Sequence, residues 1–436
     1  MPKTSLVHGS WTCATIAAFV LGSHYFPGAI AGRRDMPSTH TSGGDAKSTA
    51  LRGDRNSGAG QTPLHGNSSA LSRPEKGDLL RHTATALTAS EILALGKAFK
   101  ANSNPIERRL AFSRLLEGLT SENGLLIRAQ IEHLPENSSE FREFHYAWGA
   151  LAGETAVLHG KDTDKRDMAA TFAGWASADP TAAMTWYEGA RELEDLDHNS
   201  LKWGALFGLA HANPGTALEF VNQLQGRGEQ DKNTLKGMTH VVTSEVLRGS
   251  PPAEAAAWVE AIADDRLRAF SREHLAGKFV KNDPEFAAEW AAGLNEQPGG
   301  ERVVDRVSRD WANRDPQATV QWLESLPTSE GRTEGFGSAF RSWASRDPQA
   351  AGNYLNDMPR SPERDSALGG FASRIMHEDP GTAISWAEAI ADPGHREEAL
   401  IRTGRHYFRH QNQAAVEWLT GSGLSEEAQQ RIRSRD

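Results

Sequence analysis

The chain has one cysteine, Cys13, in 436 residues. A lone thiol cannot form an intrachain disulfide, and a four-thiolate zinc site is excluded with it. Strand-like runs of Val, Ile, Thr and Tyr are also missing, which argues against a large sheet. There is no basic stripe: 47 Lys and Arg are scattered among 57 Asp and Glu, the net charge is -10, and nucleic acid is not an expected partner. Mild acidity of this kind serves solubility. The sequence contains no G-x-S-x-G, no phosphate-binding glycine loop and no H-E-x-x-H, so the common short signatures of hydrolases, nucleotide enzymes and zinc proteases do not apply.

After residue 80 the chain is rich in Ala, Leu, Glu, Arg and Gln, a composition that favours helix. Apolar residues make up 38% and the mean hydropathy is -0.55, values of a polar, soluble chain. The first residues are different. Lys3 and the amino terminus precede an apolar run from Cys13 to Leu21, Pro27 and Gly28 break it, and Ala29-Ile30-Ala31 supplies a small-x-small pattern. This is the layout of a secretory signal peptide over residues 1–31, with an uncleaved membrane anchor as the alternative. Residues 32–77 hold few large apolar side chains and are expected to be a disordered linker. The Arg-Gly-Asp at Arg52 to Asp54 falls within it and is short enough to occur by chance.

A repeat then dominates. "RDWANRDPQATVQWLESLP" begins at Arg309 and "RSWASRDPQAAGNYLNDMP" at Arg341, 32 residues later. Numbered from the proline, units start at Pro180, Pro214, Pro252, Pro284, Pro316, Pro348 and Pro380, and an eighth keeps the frame at Asn412. The spacings are 34, 38 and then 32 throughout. Three residues after each start stands a small residue: Ala183, Ala217, Ala255, Ala287, Thr319, Ala351, Ala383 and Ala415. Six residues after it stands an aromatic: Trp186, Phe220, Trp258, Trp290, Trp322, Tyr354, Trp386 and Trp418. Five residues before it stands a bulky apolar side chain: Trp175, Leu209, Leu247, Phe279, Trp311, Trp343, Ile375 and Tyr407. Nine of the twelve tryptophans occupy these two aromatic positions, so the pattern is structural.

The chemistry of one unit is legible. Asp before Pro is a helix start, because the carboxylate accepts from free backbone N–H groups and Pro at the first helical position loses no hydrogen bond. Asp179, Asp283, Asp315, Asp347 and Asp379 stand at such caps, Asn213 substitutes in its unit, and Ser250 is expected to serve one residue early. The small and aromatic residues three apart share a helical face, which assigns the aromatics to the core. Upstream of Asp-Pro, Val304, Val307 and Trp311, and likewise Leu368, Phe371 and Ile375, recur at helical spacing. Each unit thus reads helix, break, helix, turn. The six extra residues of the Pro214 unit, around "QGRGEQDKN", are expected to bulge as a loop.

Two-helix units of this length are the mark of an α-solenoid. The fold class expected is all-α: a right-handed α-solenoid of helix-turn-helix repeats of about 32–38 residues. Residues 78–160 read as degenerate N-terminal repeats, with Thr88 or Ser90 and then Asn104 as caps, 161–421 as the repeat array, and 422–436 as a polar capping helix starting at Ser425.

The frame W-A-x-x-D-P-x-x-A/T-x-x-W resembles the helical-hairpin repeats of the tetratricopeptide and HEAT families, and in unit length is most similar to the former over roughly residues 139–420. No unit carries the Trp-x-x-Leu-Gly-x-x-Tyr of a tetratricopeptide first helix. The resemblance implies a binding scaffold for proteins or peptides with no chemistry of its own.

Residues that could bear chemistry have plainer readings. His406 and His410 have metal-capable spacing without the glutamate of a zinc protease. Glu192, Glu194, Asp195, Asp197 and His198 could hold calcium but lack the loop glycine of a known site; Asp162, Asp164 and Asp167 read as a turn plus cap. No catalytic, cofactor or metal site is expected. The expected function is a non-catalytic, extracytoplasmic scaffold that takes a protein or extended peptide in a concave groove, touching membrane only through an uncleaved N-terminal segment. The alternative is an extracytoplasmic α/α-toroid enzyme acting on polysaccharide.

Overall fold

A computed structural model describes residues 86–162, 167–228, 230–410 and 412–434. The signal segment, the linker, Cys13, the Arg52–Asp54 tripeptide, Asp164 and the side chains of Asp162, His410 and Asn412 lie outside the described residues. Among those described there are 22 helices and no strand, an all-α helical repeat fold. None is long and apolar enough to cross a membrane. The chain divides into two compact units between Trp148 and Gly149.

The first unit holds α1 (Ala89–Ala101), α2 (Pro105–Glu117), α3 (Gly124–Ile131) and most of α4 (Ser139–Ala152). Thr88 begins α1 with a capping box: its hydroxyl accepts from Glu91 N, and the Glu91 carboxylate accepts from Thr88 N at 2.8 Å. Asn104 caps α2 ahead of Pro105. Phe112, Leu115, Ile127, Ile131 and Phe144 are fully buried between the helices.

The second unit runs through α5 (Glu154–Asp162), α6 (Met168–Ala178), α7 (Pro180–Ala190), α8 (His198–Ala212), α9 (Pro214–Gly226), α10 (Lys232–Gly249), α11 (Pro252–Glu260), α12 (Asp265–Asn282), α13 (Pro284–Leu294) and α14 (Gly300–Ala312). It continues with α15 (Pro316–Ser325), α16 (Glu330–Arg346), α17 (Pro348–Asp357), α18 (Pro362–Ile375), α19 (Pro380–Glu388), α20 (Pro393–His410), α21 (Asn412–Gly421) and α22 (Glu426–Arg433). The position 160 falls inside α5, which packs on α6. From α6 onward each even-numbered helix packs on the next even-numbered helix, while the odd-numbered, proline-started helices pack on the even ones and not extensively on each other. The result is two layers. α22 takes the place of the next even helix, laying Ala428 and Ile432 against Ile401 and Leu419.

Aspartate and proline shape each break. Asp179, Asp283, Asp315, Asp347 and Asp379 accept from Ala182, Phe286, Ala318, Ala350 and Thr382 N at 2.9–3.0 Å. Asn213 accepts from Gly215 and Thr216. Ser250 does not cap α11: it terminates α10, and Pro251 occupies the cap position with no side-chain acceptor. The extra residues of the Pro214 unit do not form a simple bulge either. Part of them extends α9 to 13 residues, against 9 in α11, because Leu224 continues the buried stripe of that helix.

The small position is fully buried in every unit: Ala183, Ala217, Ala255, Ala287, Thr319, Ala351, Ala383 and Ala415 are all at 0% exposure. Thr319 fits because its hydroxyl donates to Asp315 O at 2.7 Å, one turn back. The aromatic three residues later is a different case. Only Phe220 is buried; Trp186, Trp258, Trp290, Trp322, Tyr354, Trp386 and Trp418 are half-buried, which corrects their assignment to the core. They stand at the seams between units, partly covered and partly at the surface. Where the upstream residue of the unit is aromatic the two rings meet, with centroids 5.5 Å apart for Trp175–Trp186, 5.2 Å for Phe279–Trp290, 6.0 Å for Trp311–Trp322 and 5.5 Å for Trp343–Tyr354. The polar edge reaches a glutamate of the unit before: Trp186 Nε1 donates to Glu154 at 3.1 Å, Tyr354 Oη to Glu324 at 3.0 Å, and Trp418 Nε1 to Glu388 at 3.4 Å. At the matching place before Trp322 stands Ala292, and Trp322 Nε1 is buried with no partner.

Arginine ties units together at two recurring positions. Arg314 donates to Val280 O and Lys281 O, and Arg346 to Asn313 O and Arg314 O, each meeting the carbonyl end of the preceding even helix. Arg268, Arg332, Arg364 and Arg396 donate to Ile262, Leu326, Leu355 and Ile390 O, the carbonyl ends of the odd helices. The even helices approach one another through glycine: a Cβ on Gly370 would lie 1.9 Å from Gly337 O, and one on Gly208 2.3 Å from Ala173 O.

These contacts set two stability outcomes. Gly370→Ala should destabilise by about 1–3 kcal/mol or more, because α18 must move away from the α16 backbone; an unchanged urea midpoint would mean that the two helices are not in backbone contact. Ala292→Glu should stabilise by roughly 0.5–1.5 kcal/mol by supplying the acceptor that Trp322 lacks. A lower thermal midpoint in that variant would refute the seam hydrogen bond.

Candidate functional site

Two groups of polar side chains stand out on the even-numbered helices. The first lies on α16. Phe336, Phe340 and Trp343 bury one side of this helix, and Glu334 and Arg341 are exposed on it. Seven residues separate them, two helical turns or about 10 Å. Ser338, between them, donates to the Asp305 carboxylate of α14.

Both charges are poorly accommodated. The Glu334 carboxyl is pushed above its usual value, first by burial and then by the like charges of Glu330, Asp305 and Glu301, with Arg302 opposing. The Arg341 guanidinium is held below its usual value, again first by burial, then by Arg402 of α20, with Asp305 opposing and Arg309 adding. Among the described residues neither Glu334, Arg341 nor Arg402 forms an ion pair. Arg341 Nε donates only to Ser373 Oγ of α18, at 3.0 Å. Arg309, which shares the repeat register of Arg341, is matched by Asp305 at 3.5 Å and Asp310 at 3.6 Å.

The second group joins α10, α12 and α14. His240 and His274 stack with ring centroids 4.5 Å apart. Lys236 pairs with Glu273 at 2.8 Å, and Arg306 lies 3.9 Å from Glu273 and 2.5 Å from Asp310. Ser244 Oγ is 2.8 Å from His274 Nε2, a spacing that invites comparison with a nucleophile and its base. The hydroxyl proton is committed elsewhere, to His240 O at 2.8 Å. Ser244 Oγ therefore accepts from His274 N–H, the reverse of the arrangement a nucleophile needs. Burial is the main cause that lowers both imidazoles, His240 to about 4 with Lys236 adding and Glu273 opposing, and His274 to about 3 with His240, Lys278 and Arg306 adding.

Several of the residues singled out in the sequence for chemistry have structural places among the described residues. Asp197 caps α8, accepting from Asn199 and Ser200 N at 3.1 Å. Asp167 stands in a turn at the N-cap position of α6, without a side-chain cap bond. His406 meets His377 edge-on at 4.7 Å. Among the described residues no group of three or more His, Cys, Asp or Glu is placed to hold a metal. Trp175, Asp179, Pro180, Ala183 and Trp186, with their counterparts through Trp418, are spread along the repeat at capping, packing and seam positions. Repeat register alone could have flagged the Arg309–Arg341 pair; nothing in the sequence signalled the histidine pair, whose members stand at different offsets from their prolines. No protein-family model, curated protein or solved structure matches the chain.

A histidine whose pKa is lowered by folding is neutral in the folded chain and gains its proton on unfolding. The stability it contributes is complete above pH 6.5 and is lost as pH falls from there toward 4 and 3. The urea midpoint of the full chain should therefore drop between pH 7.5 and pH 5. His274→Gln should flatten that drop; a variant as steep as the wild type would show that the pair does not carry the dependence.

Proposed function

We propose that the chain is a non-catalytic scaffold, exported or held at the cell surface, that binds a protein or an extended peptide along the face of its even-numbered helices. The observation that carries this reading is the pair of exposed, partly desolvated and unpaired charges, Glu334 and Arg341, on a helix otherwise packed at backbone contact. Charges left in that state gain from a complementary partner more than charges already matched. In this reading the packing of even helices on one another, with odd helices packed only on the even ones, curves the second unit toward its even layer as a right-handed superhelix whose inner face is a groove. The reading agrees with the resemblance to tetratricopeptide and HEAT repeats, which bind partners on such faces. Export rests on the charged start, apolar run and Ala29-Ile30-Ala31 of the first residues. No cofactor, metal or nucleic acid enters the proposal.

A photo-crosslinking residue placed in the full-length chain separates the two faces. At Arg302, exposed on α14, it should capture a second polypeptide in cells; at Gln317, exposed on α15, it should not. Equal capture at both positions, or capture at Gln317 alone, would remove the even face as the binding surface.

A further inference from the structure

On the assumption that the even face binds a peptide, the spacing of its unmatched charges also specifies the peptide. We propose that α16 recognises an extended segment carrying a basic and an acidic side chain three residues apart, the basic one over Glu334 and the acidic one between Arg341 and Arg402.

Glu334 and Arg341 are seven residues apart on one helix, two turns, or about 10 Å along its axis. A polyproline-II chain has three residues per turn and rises about 3.1 Å per residue, so its side chains at i and i+3 face the same way about 9 Å apart. A β-strand does not offer this match, because residues three apart point to opposite faces.

Each end of the helix segment is built for one sign. Around Glu334 stand Glu330 on its own helix and Glu301 and Asp305 on α14, with Arg302 alone opposing. Arg302 is itself engaged by Glu301 at 3.8 Å. A Lys or Arg placed there would relieve a crowd of carboxylates. Around Arg341 stand Arg309 and Arg402, with Asp305 opposing. Asp305 already accepts from Ser338 and pairs with Arg309. Near Arg402, the carboxylate of Glu398 is committed to Arg431 at 2.8 Å. Arg341 uses its Nε toward Ser373, which orients the guanidinium and leaves its terminal nitrogens without an acceptor among the described residues. A carboxylate matches such a fork with two parallel hydrogen bonds. A uniformly acidic ligand would meet the Glu334 end with repulsion, and a uniformly basic one the Arg341 end. The order of signs is thus a specificity device as well as a source of attraction.

The test uses the full-length chain, immobilised, and random dodecapeptides displayed on phage, with Glu334→Gln/Arg341→Gln as the counter-target. Enriched peptides should carry Lys or Arg three residues from Asp or Glu. A synthetic copy should bind the wild type at least tenfold more tightly than either single variant. The swap Glu334→Arg/Arg341→Glu should prefer the peptide with its two charges exchanged. A salt titration of the wild type needs no variant and tests the same point independently: affinity should fall at least tenfold between 50 and 500 mM salt. Enriched peptides that lack the charge pair, ignore salt or bind the double variant equally would overturn the assignment and leave the peptide-binding reading standing. No enrichment over the bare support would remove both.

Discussion

Backbone contact between successive even-numbered helices is the constraint on which the rest of the second unit depends. Gly208 against Ala173 O and Gly370 against Gly337 O leave no room for a Cβ, so these helices sit closer than side chains would permit. The odd-numbered helices carry the aromatics and cannot approach one another in the same way. Where this contact is made, the unit is closed on the even layer and open on the odd one, and the space between is filled at a seam. The ring pairs fill it. Their half-exposed state follows from the geometry of the seam, and so does the glutamate of the preceding unit that meets Trp186, Tyr354 and Trp418.

The break between helices is equally compact. In Arg-Asp-Pro each residue has a separate task. Arg314 or Arg346 takes up the carbonyl end of the even helix of the preceding unit, aspartate takes up the N–H end of its own odd helix, and proline begins that helix without losing a hydrogen bond. Backbone groups that would otherwise be orphaned at two helix ends are satisfied within three residues. A second arginine, at 268, 332, 364 and 396, repeats the device at the carbonyl end of the odd helices. The repeat is thus held by directional polar contacts as well as by its apolar seams.

Charge is treated differently in different places. Lys236, Glu273, Arg306 and Asp310 form a closed network beside the stacked histidines, and Ser244 commits its proton to the backbone. On α16, by contrast, Glu334 and Arg341 stand two turns apart, among like charges and without an ion-pair partner among the described residues.

Much of this architecture was legible in the sequence. Helix starts at Asp-Pro, the buried small position, the polar closing helix and the two-helix unit all rest on local rules: capping, helical spacing and the loss of one N–H at proline. Those rules act within a few residues and leave a repeating mark. The sequence misled where the outcome depended on a neighbouring unit. Trp322 looked like core because it shares a face with Thr319, yet only the packing of the next unit decides how much of a ring at a seam is covered. Ser250 had the chemistry of a cap, and Pro251 displaced it. Of the candidate site, only the shared register of Arg309 and Arg341 was legible. His240 meets His274, and Arg341 feels Arg402, across helices that the chain visits tens of residues apart, so their pairing is set by how the even helices stack and not by any spacing along the sequence.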